Sequence, residues 1–212
     1  MEIKVMQNVL KANDVFADQT AELLKAKGIR LLNLIGSPGA GKTSVLELMI
    51  PLLKDKGLRI AVIEGDCATA RDAQRIAVLD FPVVQINTGN GCHLDARQIG
   101  TVMTEFPLED IDMVIIENVG NLVCPTGFDL GADEKIAVIS VTEGDDKPLK
   151  YPRIFHEAKM VILTKIDLIP YTNFSLQRFT DALRSIRQDQ ELFLLSCTTG
   201  EGAEKLVERF WM

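Results

Sequence analysis

The sequence predicts an α/β protein. It should have a mostly parallel sheet of about seven strands, helices on both faces and an extra helix at the N-terminus. Three observations predict this. Short apolar runs recur along the chain, helical patterns separate them, and the first run ends in the glycine-rich stretch "GSPGAGKT". Strands that are apolar on both faces belong in a parallel sheet covered on both sides; a sheet with one face in water would alternate instead.

The elements follow in order. Met6, Val9, Leu10, Phe16, Leu23 and Leu24 have roughly helical spacing, and Gly28 is a plausible stop. Residues 1–28 are therefore an N-terminal helix packed outside the main sheet, and 29–212 the main domain. "IRLLNLIG" (29–36) is the first strand. "LRIAVIEGD" (58–66), "FPVVQIN" (81–87), "IDMVIIEN" (111–118), "EKIAVISVT" (134–142), "AKMVILTKID" (158–167) and "QELFLLSC" (190–197) repeat the theme. Pro51 falls inside the helix that follows the first strand. It should bend or end that helix, because proline lacks the N–H and clashes with the preceding turn.

The composition is that of a globular protein. With 212 residues, 47% hydrophobic and 25% charged, the chain suits one domain, or one with an appendage. A net charge of −7 argues against a nucleic-acid surface, which needs clustered Lys and Arg. No apolar run approaches a spanning helix, and the first residues lack the basic start of a secretory signal, so a cytoplasmic location and no membrane partner are expected. The four cysteines, Cys67, Cys92, Cys124 and Cys197, are widely spaced. In a reducing compartment that favours buried thiols, catalysis or metal over disulfides.

"GSPGAGKT" (Gly36, Ser37, Pro38, Gly39, Ala40, Gly41, Lys42, Thr43) has the G-x-x-x-x-G-K-[ST] spacing of a P-loop, between a buried strand and a helix pattern. The glycines let backbone N–H groups turn inward around phosphate oxygens, and the helix start, through Ser44, adds its partial positive charge. Lys42 can reach the β- and γ-phosphates, and the Thr43 hydroxyl can ligate Mg²⁺. Three carboxylates, Glu64, Asp66 and Glu117, stand at strand ends, where ligands bind in such sheets. Asp66 can hold the metal or orient a water, Glu117 is the expected second metal acid, and Gly120 can offer its amide to the γ-phosphate. Each acid alone is equally well a solvated loop residue; together they favour a nucleotide hydrolase.

The base is read further along. In "TKID", the Asp167 carboxylate can accept from guanine N1–H and its 2-amino group, whereas adenine would set acceptor against acceptor. The Lys165 stem can lie over the base, and backbone N–H groups of Ser196 and Cys197 can meet the guanine carbonyl. Common GTPases carry Asn where this chain has Thr164.

One constellation remains. "NTGNGCHLDA" places Cys92 against His93 in a turn before a helix, and Cys124 follows the second acidic strand end. Two thiolates and an imidazole suit Zn²⁺ or Ni²⁺. Three ligands leave a four-coordinate site incomplete, so a water, Asp95, Cys67 or a second copy of the chain must finish it. The competing reading is two half-buried thiols and a helix-capping histidine. Cys67 and Cys197 read as small hydrophobes, and His156 as structural.

"GSPGAGKT", "EGD", "NTGNGCHLDA", "ENVGNLVCP", "FDLG", "TEGDDKP" and "TKID" together resemble the hydrogenase nickel-incorporation GTPases of the HypB type, from about residue 5 to the C-terminus. The resemblance implies a GTP-hydrolysing metallochaperone of the signal-recognition and MinD-like class, using GTP and Mg²⁺. It would dimerise with nucleotide and hold Ni²⁺ or Zn²⁺ between subunits at Cys92, His93 and Cys124. Its implied role is nickel insertion during [NiFe]-hydrogenase maturation, with a maturation metallochaperone or the hydrogenase large-subunit precursor as partner. The chain lacks the N-terminal cysteine motif and histidine-rich tract of some members, the extra P-loop lysine of others in the class, and the Cys-Pro-His motif of the urease relatives. Rival readings are a structural zinc dimer and a P-loop small-molecule kinase.

Overall fold

The computed structural model describes residues 8–66 and 81–211. Cys67 and Met6, singled out above, lie outside the described residues.

All seven expected strands form, and they make one sheet: β1 (Arg30–Gly36), β2 (Ile60–Asp66), β3 (Val83–Asn87), β4 (Met113–Glu117), β5 (Glu134–Ser140), β6 (Met160–Thr164) and β7 (Glu191–Leu195). Their spatial order is β3-β2-β4-β1-β5-β6-β7, and every neighbouring pair is parallel. The register aligns the strand tips on one edge: Glu64 pairs with Glu117, Leu34 with Glu117, Gly36 with Val138, and Ser140 with Thr164.

Alternation along the strands builds two cores. Leu32 and Leu34 of β1 and Met113 and Ile115 of β4 face α2 (Lys42–Asp55) and the C-terminal helix. Leu31, Val114 and Ile116 face the other way, with Leu24 of α1 (Asn8–Lys27) and Ile99 of α3 (Ala96–Met103). Further along that second face, Ala137, Val161 and Leu163 pack with Phe155 and Phe179. These two come from α5 (Pro152–Glu157) and α6 (Leu176–Ile186), which follow the short α4 (Lys147–Lys150); α7 (Ala203–Trp211) closes the chain. Among the described residues, no helix is long and apolar enough to cross a membrane.

Two expectations are narrowed. Pro51 does not end helix α2, which continues through it to Asp55. Proline inside a helix costs about 3 kcal/mol. Met49, Ile50 and Leu53 around it are buried, and burial at ~1.5–3 kcal/mol per large apolar side chain outweighs that cost. In α1 the buried stripe is Asn13, Ala17, Thr20 and Leu24, whereas Phe16 and Leu23 are exposed. The apolar spacing found Leu24 but misjudged the rest of the face, because α1 otherwise packs through small and polar residues. Its end is as expected: Gly28 takes φ 70, and the Ile29 amide donates back to the Leu24 carbonyl at 2.9 Å.

Candidate functional site

The central strand β1 ends at Gly36, and the chain turns through Gly39 (φ 75) and Gly41 (φ 94) into α2. This left-handed backbone is open to glycine and aims the loop's N–H groups at one point. A cleft of about 470 Å³ lies above it. Gly41, Lys42, Thr43, Glu64, Asp66, Glu117, Gly120 and Lys165 line it, so the structure brings the predicted phosphate and magnesium residues into one place. Lys42, Thr43, Glu64 and Glu117 are buried. The Thr43 hydroxyl donates to Glu117 Oε1 at 2.8 Å. Lys42 Nζ donates to the Gly36 carbonyl at 3.4 Å and lies 4.0 Å from Glu117 Oε1. Hard oxygens in contact at a helix start fit an octahedral, partly hydrated Mg²⁺. Gly120 sits so close to the P-loop that a Cβ there would meet Pro38 Cγ at 2.9 Å.

Of the residues expected to read the base, Lys165 lines the cleft, whereas Asp167, Ser196 and Cys197 do not. Lys165 alone among described non-glycine residues has positive φ (59), and its Nζ donates to the Gly39 carbonyl at 2.8 Å. The Ser196 hydroxyl donates to Asp167 Oδ1 at 2.6 Å and accepts from the Thr199 amide at 3.1 Å, which fixes the carboxylate. Thr164, noted only as a departure, proves to be structural: its buried hydroxyl donates to the Ala40 carbonyl at 2.6 Å. Burial, then the nearby Glu47 and Asp167 charges, push the Cys197 thiol up to about 11, so it stays a neutral packing group.

Cys92, His93 and Cys124 also come together. One ligand atom from each lies within 4.8 Å of the others, and Cys92 Sγ is 3.5 Å from His93 Nδ1. Soft sulfur with imidazole nitrogen at this spacing fits a borderline divalent ion. Asp95 does not join them. Its carboxylate accepts from the Gln98 amide at 2.8 Å, and its own amide donates to Gln98 Oε1, a capping box that starts α3. That is also why the helix cap is Asp95 and not His93. His156, read from the sequence as structural, is exposed on α5.

Sequence reasoning missed three groups. Phe128, within the "FDLG" stretch, stacks on His93 with ring centroids 3.8 Å apart. Buried Asn118 accepts from the Leu94 amide at 3.4 Å and donates to Asn33 Oδ1 at 3.1 Å. Thr88 ties the tip of β2 to the cysteine loop: its amide donates to the Asp66 carbonyl at 2.9 Å, and its hydroxyl to the Gly91 carbonyl at 2.9 Å. The signal available for the asparagines was an amide side chain inside an otherwise apolar run.

The family model for the CobW/HypB/UreG nucleotide-binding domain matches residues 30–193. The hydrogenase maturation factor HypB of Escherichia coli (strain K12) is 45% identical over 203 residues, covering 96% of this chain and 70% of that protein. The chain belongs to the HypB branch of the CobW/HypB/UreG family. The crystal structure of HypB from Helicobacter pylori in complex with nickel superposes with a TM-score of 0.87 at 38% identity, covering 94% of this chain and 93% of that one. HypB from Archaeoglobus fulgidus gives a TM-score of 0.88 at 31% identity, over 95% and 98%. This chain is thus a HypB-type hydrogenase maturation factor with a nucleotide-binding domain, and the cleft lies directly above its P-loop.

Proposed function

We propose that this HypB-type chain hydrolyses GTP and uses the bound state of the nucleotide to control nickel carried by Cys92, His93 and Cys124, delivering it during maturation of a [NiFe] hydrogenase. The observation that carries the reading is the set of short links between the two sites. Glu117 of the nucleotide cleft is followed by Asn118, which accepts from Leu94, the residue after His93. Asp66 at the cleft is bonded through Thr88 to Gly91, the residue before Cys92. A shift of either strand tip therefore moves the cysteine–histidine turn.

In this reading the P-loop amides and Lys42 hold the β- and γ-phosphates, and Asp167, fixed by Ser196, selects guanine. Thr43, Asp66 and Glu117 would hold Mg²⁺, which when bound offsets the phosphate charge. Asp66 lies at the cleft edge, where its carboxylate can orient the water that attacks the γ-phosphorus. The Lys42 charge stabilises the departing diphosphate.

Ni²⁺ is the cargo, and Zn²⁺ a competitor with the same ligand taste. Three donors among the described residues are one short of a four-coordinate site, and a second copy of the chain can complete it. Val123, beside Cys124, is 61% exposed, so this edge presents apolar surface to such a copy. The receiver is a maturation metallochaperone or the hydrogenase large-subunit precursor, and the setting is cytoplasmic. Nickel and zinc titrations of Cys92→Ala and Cys124→Ala test the cargo half, with loss of tight binding expected in both. Unchanged affinity in both would remove it. GTP turnover that Lys42→Ala abolishes tests the hydrolytic half; equal turnover in the two proteins contradicts it.

A further inference from the structure

We infer that Asn13 of the N-terminal helix is a positioning residue for the metal ligands, clamping together the two loops that carry them. The inference rests on the proposal that Cys92, His93 and Cys124 bind the metal. Asn13 is 7% exposed and uses both ends of its amide. Its Nδ2 donates to the Asp129 carbonyl at 2.7 Å, and its Oδ1 accepts from the Ala96 amide at 2.9 Å. Ala96 is three residues after His93, at the first turn of α3. Asp129 is the neighbour of Phe128, whose ring covers His93, and lies five residues after Cys124. One side chain therefore spans from the cysteine–histidine loop to the Cys124 loop.

The helix is built to bring it there. Gly131 (φ 76) approaches α1 so closely that a Cβ would meet the Ala17 carbonyl at 2.4 Å. Gly100 of α3 lies under Thr20, where a Cβ would sit 3.5 Å from its hydroxyl. The small buried stripe of α1 thus serves close docking, and among the described residues the amide in that stripe hydrogen-bonds neither a nucleotide-cleft residue nor a metal ligand. A buried amide that satisfies two loop backbone groups fixes the relative position of those loops. Groups hydrogen-bonded to a metal's ligands typically change affinity 10–100-fold when removed, and Asn13, which acts one step further back through the loop backbones, belongs at the low end of that range.

The test is Ni²⁺ titration of the full chain as wild type, Cys92→Ala, Asn13→Ala and Asn13→Asp, read by thiolate-to-nickel absorption, with Mg·GDP affinity measured alongside. Asn13→Asp is isosteric and still accepts from Ala96 but turns an oxygen against the Asp129 carbonyl, and it serves if the alanine variant does not fold. Expected is a loss of Ni²⁺ affinity of roughly 10-fold in the Asn13 variants, with an altered absorption band and Mg·GDP affinity within about twofold of wild type. Nickel binding that Cys92→Ala abolishes but the Asn13 variants retain within about twofold would overturn the clamp alone. So would parallel loss of nickel and nucleotide affinity, which marks general destabilisation. Absence of binding in the wild type would overturn the metal reading and the clamp with it.

Discussion

Thr164→Val removes one hydroxyl that holds the phosphate loop. Valine keeps the β-branched shape at the tip of β6, where Thr164 is 1% exposed, and deletes the hydroxyl that donates to the Ala40 carbonyl at 2.6 Å, with a longer approach of 3.2 Å to the Ile139 carbonyl. The carbonyl that loses its donor sits next to Gly41, whose φ of 94 the loop must hold to keep its amides pointed inward. A buried polar group left without a partner costs about 1–3 kcal/mol. Nucleotide binds the ordered loop, so part of that cost reappears as affinity. About 1–2 kcal/mol corresponds to a 5- to 30-fold weaker Kd for GDP. Titration with a fluorescent GDP analogue measures it, and a thermal melt shows whether the fold also loses stability. Thr164→Asn carries its own amide donor and is expected to stay within about threefold of wild type. GDP affinity of Thr164→Val within twofold of wild type would refute the idea that this hydroxyl holds the loop.

Asp167→Asn is expected to weaken GTP by roughly 100-fold and to admit xanthosine nucleotides, since the amide can donate to their C2 carbonyl; competition binding with both nucleotides checks it. Arg209 bonds Glu191 (2.7 Å) and the buried Glu134 (3.1 Å), so Arg209→Met should destabilise the fold by about 1–3 kcal/mol at neutral pH, read by urea unfolding. Its hydrogen bond to Arg209 holds the Glu191 carboxyl below its usual value. That stability is therefore complete above the ordinary carboxylate pKa and is lost as pH falls through the depressed one, and the gap between variant and wild type should narrow in acid.

The sheet was legible because every strand is a short run apolar on both faces, which only a covered parallel sheet explains. The phosphate loop was legible because its chemistry is local: glycines, lysine and threonine act within eight residues of one another. Polar pairs that close over distance left no such trace. Asn118 finds Asn33 across 85 residues, and Asn13 finds Ala96 across 83, so each looked like an accident in its own segment. The α1 face was misread for the same reason: apart from Leu24, its burial depends on close approach by glycines of other elements, Gly100 and Gly131. Asp95 was the opposite case. The spacing Asp95–Gln98 carries the capping box openly, within four residues of one segment.

The central claim is that the strand tips at the phosphate also set the geometry of the two sulfurs and the imidazole. Ni²⁺ affinity compared between the Mg·GDP form and the form bound to a non-hydrolysable GTP analogue tests it most directly. The account predicts at least a fivefold difference, about 1 kcal/mol of coupling, with nickel shifting the preference between the two nucleotides by the same factor. Equal nickel affinity in both forms, within twofold, would contradict it.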